Sequence, residues 1–211
     1  MIPAELRRPD VRAALVEALR RAYEVNQDWY DTAAGHDSML FGQSIWKSGS
    51  HYVKGALDGL PECHAVYSEQ SLDIRIGRCQ LRLHKLGNSS EDDPRYCFPN
   101  HAGPAARMAE QLELQIALSG EPEEYVAWVI GSYGNPTDGL CAVRLQAVGS
   151  ARALDGTMKS WSQIETIFDV AEGASTPLVT ARTAEPVIAP EPAVALRRSG
   201  EEGEDRGQAG S

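Results

Sequence analysis

Across 211 residues the chain sets 20 Lys and Arg against 30 Asp and Glu, a formal net charge of −10. The charge divides as −7 over residues 1–170 and −3 over the rest, so neither part is a polycation; nonspecific binding along a phosphate backbone is disfavoured, and only a local basic patch remains open to nucleic acid. No run approaches the length of an apolar membrane span, and Met1–Arg8 leads into a charged helical pattern rather than the apolar core of a signal peptide, which sets the expectation of a soluble cytoplasmic protein without a membrane partner.

All 4 Trp, 7 Tyr and 3 Phe precede Ala171. Beyond it the chain lacks the large side chains whose burial could offset the entropy of ordering. The expected organisation is one α+β domain over residues 9–170 and a disordered tail over 171–211, the latter rich in Ala, Pro, Glu and Gly. Cys63, Cys79, Cys97 and Cys141 form no C-x-x-C pair and read as reduced, part-buried small hydrophobes. Arg outnumbers Lys by 16 to 4, a bias typical of GC-rich bacterial genomes.

In chain order, Pro9 and Asp10 start a helix in which Val11, Leu15, Ala18, Leu19, Ala22, Val25 and Trp29 recur at helical spacing. After Gly35, Asp37 or Ser38 caps a second helix with a stripe of Phe41, Ile45, Tyr52, Ala56 and Leu57, ending at Gly59 and Pro61. The period then changes to two: His64–Glu69 is one strand, Leu72, Ile74 and Ile76 mark a second, and Cys79, Leu81 and Leu83 a third. With Gly77-Arg78 as a two-residue turn, Ile76 pairs with Cys79, Ile74 with Leu81 and Leu72 with Leu83, leaving Asp73 opposite Arg82 and Arg75 opposite Gln80 on the other face. A polar loop over 87–100 follows, then a helical pattern from Ala105 to Leu118 that stops at Gly120. Strands over 125–131 and 140–148 form a second hairpin around Tyr133-Gly-Asn-Pro-Thr-Asp-Gly139, and Trp161, Ile164, Ile167 and Phe168 form an apolar segment suited to covering an edge or groove. The fold class is α+β, with N-terminal helices and an antiparallel or mixed sheet of about five strands.

The order helix, three strands, helix, strand over about residues 38–131 resembles the αβββαβ core of restriction-endonuclease-like nucleases. That resemblance implies an Asp on the second strand and an acidic residue and Lys two apart on the third, holding Mg²⁺ and positioning water. The matching positions are Asp73 and then Gln80-Leu81-Arg82, with Glu69 as a substitute carboxylate and Asp37 of the second helix as a further one. Gln80 brings no negative charge, and Arg82 cannot release a proton and tends to pair with Asp73. A catalytically dead relative would keep nucleic-acid affinity through Arg75, Arg78, Arg82 and Lys85 clustered on one face.

Cys63, His64, Cys97 and His101 supply zinc-type ligands at poor spacing, since adjacent strand residues point to opposite faces. Ser44-Ile-Trp-Lys47 has the S-x-x-K spacing without its partner motifs. The chain has no G-x-S-x-G elbow, phosphate loop or dinucleotide-binding glycine motif, and its two N-terminal helices are too widely separated for a helix-turn-helix. Gly134-Asn-Pro-Thr-Asp-Gly-Leu140, with Phe98-Pro-Asn100, resembles small proteins of bacterial mobile or defence loci. The resulting expectation is a regulatory or partner-binding protein of a bacterial defence, toxin–antitoxin or mobile-element locus, with another protein as partner and no cofactor or metal; the alternative is a diverged metal-dependent nuclease.

Overall fold

The computed structural model describes residues 2–68, 71–99, 127–149 and 159–171. After a 3-10 turn over Ala4–Arg7, helix α1 runs Pro9–Trp29 with Pro at its first position, where its missing N–H costs nothing. Val11, Leu15, Ala18, Leu19, Ala22, Tyr23 and Asn26 face inward. The stripe therefore ends on Tyr23 and Asn26 rather than on Val25 and Trp29, which lie 43% and 40% exposed. A buried Asn is tolerated there because its amide donates to Ala22 O and Ser48 Oγ, both at 2.6 Å, while its Oδ1 accepts from Trp29 Nε1.

Helix α2 spans Ser38–Leu57, capped by Asp37, whose carboxylate accepts from Leu40 N at 2.8 Å. Its buried stripe is Phe41, Ile45, Gly49, Ser50, Val53 and Leu57. Gly49 lets α1, α2 and the sheet close up: a Cβ there would meet Leu83 at 3.1 Å and Leu19 at 3.4 Å. Tyr52 and Ala56 pack at the margin of the core.

Six strands follow, β1 Cys63–Ser68, β2 Ser71–Ile76, β3 Cys79–Gly87, β4 Ala127–Asn135, β5 Gly139–Val148 and β6 Trp161–Asp169, in one mixed sheet in sequence order. All neighbours are antiparallel except β3 and β4, which are parallel. The sheet is one strand larger than expected because the apolar segment around Trp161 and Phe168 pairs along β5 as β6. The expected β2–β3 register is present, with Ile76 on Cys79, Arg75 on Gln80 and Ile74 on Leu81.

One face of the sheet packs on the helices. Rows such as Ala65, Ile74, Leu81, Trp128 and Ala147, or Leu83, Ile130 and Leu145, run straight across it. The parallel β3–β4 step requires a crossover, supplied by residues 88–126, of which 88–99 are described and cross the opposite, back face. The helical pattern from Ala105 to Leu118, Glu69, His101 and, beyond Ala171, the expected tail lie outside the described residues. The described residues all belong to one compact unit.

Candidate functional site

Asp73, Arg75, Gln80 and Arg82 share the back face of the β2–β3 hairpin, as strand alternation requires. Arg82 pairs through Nη2 with the Asp73 carboxylate and donates through Nη1 to Ser71 Oγ at 2.5 Å. With its side chain only 17% exposed, Arg82 is a partly desolvated cation whose natural counter-ion is the carboxylate beside it. His84 follows on the same face, where burial, reinforced by Arg82, pushes its imidazole down to about 4; it is neutral near pH 7. Asp37 is engaged as the α2 cap. Among the described residues no group of three or more His, Cys, Asp or Glu is placed to hold a metal ion.

The four basic residues considered for nucleic acid do not gather. Arg75 and Arg82 share the back face, whereas Arg78 in the turn leans towards Glu5 at 3.7 Å. Lys85 alternates with Leu83 onto the helix side, where its Nζ donates to Gly87 O at 3.0 Å and Asn88 Oδ1 at 2.7 Å. Burial pushes the Lys85 ammonium below its ordinary value.

Cys63 is buried against the core and His64 exposed on the back face, while Cys97 lies in the crossing loop with its Sγ donating to Asp93 O. These residues are dispersed. In Ser44-Ile-Trp-Lys47, Lys47 is exposed and Ser44 serves as a backbone acceptor for Ser48 Oγ at 2.7 Å.

A dense polar constellation lies where no sequence motif marks it. On the back face Arg144 donates to Ser90 O at 2.7 Å and Asp92 O at 3.3 Å, lies 3.7 Å from the Asp169 carboxylate, and covers the Tyr133 ring at 4.2 Å. Tyr133 donates to Gln146 Oε1 at 3.1 Å, Gln146 Nε2 reaches Pro94 O at 3.4 Å, and Trp161 Nε1 reaches Cys97 O at 3.2 Å. Burial, the leading cause, pushes the Tyr133 phenol up to about 12. The available signal was Arg144 and Gln146 alternating with Val143, Leu145 and Ala147 in a strand buried on both faces. Chemically the cluster is a clamp: sheet side chains hold the backbone carbonyls of the crossing loop.

The Tyr133–Gly139 loop resolves similarly. β4 and β5 run further than expected, leaving a turn of only Pro136–Asp138. Asn135 Oδ1 accepts from Thr137 N and Asp138 N, both at 2.8 Å, its Nδ2 donates to Asp138 and to Asn88 O, and Gln27 of α1 donates to Pro136 O at 3.0 Å. Gly134 is required because a Cβ there would come within 2.1 Å of Gly139 O.

Among the exposed side chains a few are large and apolar, Tyr96 of the crossing loop and Val170 after β6 among them. Met39 (66%), with Val25 and Trp29, occupies the joined end of the α1–α2 hairpin, and Val66 (62%) and Tyr67 (49%) lie on the edge strand β1. No helix among the described residues is long and apolar enough to cross a membrane. No protein-family model, curated protein or solved structure matches the chain, so the likeness to the restriction-endonuclease-like core rests on element order alone.

Proposed function

We propose that this is a regulatory or partner-binding protein, of the kind encoded in bacterial defence, toxin–antitoxin or mobile-element loci, and that it acts by binding another protein. The observation that carries this reading is the contrast between its polar and apolar groups. The side chains with catalytic potential are engaged in cross-strand pairing, capping or loop anchoring, whereas large apolar side chains are left exposed at the end of the helical hairpin and along β1. Exposed aromatic and aliphatic groups bordered by polar residues are the usual anchors of protein interfaces.

The competing reading, a diverged Mg²⁺-dependent nuclease, has in its favour the parallel step from β3 to β4 after three antiparallel strands and the shared face of Asp73, Gln80 and Arg82. Both are tested by incubating the protein and Asp73→Ala with labelled single- and double-stranded DNA and RNA, with Mg²⁺, Mn²⁺ or chelator. Metal-dependent cleavage lost in the variant establishes the nuclease. Its absence, together with an interactor captured by the wild type and lost in Trp29→Ala or Val66→Lys, supports the binding reading.

A further inference from the structure

The two edges of the sheet are not equivalent. β6 pairs with β5 through two register shifts and engages Arg12 of α1 through Glu165 at 2.5 Å, and such irregularities and charges discourage a further strand. β1 has neither device: it pairs with β2 over six consecutive residues without a bulge, contains no Asp, Glu, Lys, Arg or Pro, and among the described residues no strand lies on its other side.

Gly77 N donates to Glu62 O at 2.9 Å, which fixes the parity of the β1–β2 ladder. By alternation, His64, Val66 and Ser68 turn their backbone groups to β2, and Cys63, Ala65 and Tyr67 turn theirs outward. Cys63 N is already engaged with Leu60 O at 3.2 Å. The outward set is thus Cys63 O with the N–H and C=O of Ala65 and Tyr67.

We propose that this edge pairs antiparallel with β1 of a second copy of the chain about a two-fold axis at Ala65, joining the two sheets into one. The proposal deepens the partner-binding reading by naming the partner. Under that axis each Ala65 exchanges both backbone bonds with its counterpart and each Tyr67 N–H meets a Cys63 O, four bonds in all, while each Tyr67 O is left to solvent because Cys63 N stays with Leu60 O. Side chains match in size as well: Tyr67 falls opposite Cys63, Val66 beside His64, and Ala65 against Ala65, with no like charges opposed. Two chains of the same net charge repel, so pairing strengthens as salt screens them.

The test is sedimentation velocity of the full chain from low to high micromolar concentration, at low and high salt. The expected result is a concentration-dependent dimer favoured by salt. Ala65→Pro deletes an outward donor without touching the β1–β2 ladder, and Val66→Lys places a charge on an exposed edge side chain; each is expected to weaken dimerisation at least tenfold with an unchanged far-ultraviolet circular dichroism spectrum. Val66→Lys decides alone if Ala65→Pro does not fold. A chain monomeric throughout, or a dimer that persists in a folded variant, overturns self-pairing; a monomer that still captures a protein through Trp29 or Val66 leaves the broader reading standing.

Discussion

The Arg144 guanidinium covers the Tyr133 ring at 4.2 Å while donating to the carbonyls of Ser90 and Asp92. One buried cation thus ties β4, β5 and the crossing loop together. Arg144→Ala is expected to cost about 2–4 kcal/mol, since it leaves loop carbonyls and Asp169 without their donor. Arg144→Lys should recover less than half, because a point charge cannot replace the planar fork. Urea denaturation gives the energies, and trypsin cleavage after the exposed Arg95 should accelerate in both variants.

Asp73 and Arg82 form a pair on the sheet, so removing one partner exposes the other to an imperfect environment. Asp73→Ala should destabilise by about 1 kcal/mol, a value kept small by the exposure of the carboxylate. Combining it with Arg82→Ala should show non-additivity of similar size in a double-mutant thermal-denaturation cycle. Full additivity would count against the pair.

His84 makes stability depend on pH in a defined direction. Its folded-state value of about 4 lies below the ordinary 6.5, so between those limits the unfolded chain binds more protons and stability falls as pH falls. The loss at the acid end of the window is about 1–3 kcal/mol after allowing for partial solvent access. His84→Gln should flatten that part of the profile relative to wild type, and an unchanged slope would contradict the assignment.

Gly134→Ala forces a methyl against the Gly139 carbonyl, which backbone movement alone can relieve. A loss of about 2–3 kcal/mol is expected, with the change in amide hydrogen exchange concentrated at the β4–β5 turn. Asn135→Ala, which removes the acceptor of two turn amides, should cost about 1–2 kcal/mol.

Local periodicity was enough to read α1, α2 and the β2–β3 hairpin from the sequence, because helix capping at Asp37, a two-residue turn at Gly77-Arg78 and alternation of Leu72, Ile74 and Ile76 are all short-range signals. The same alternation placed Asp73, Gln80 and Arg82 on one face. Lys85 is close in sequence to Arg75, Arg78 and Arg82, but the period of two turns it to the helix side. Val25 and Trp29 share the helical period of the buried stripe yet lie exposed, because Asn26 takes the inward position against Ser48 across the helix pair. The parallel β3–β4 step, the recruitment of Trp161–Asp169 as β6 and the Arg144 clamp could be decided only by the tertiary structure. Each joins residues far apart in the chain, and no local pattern records which carbonyl a buried guanidinium will meet.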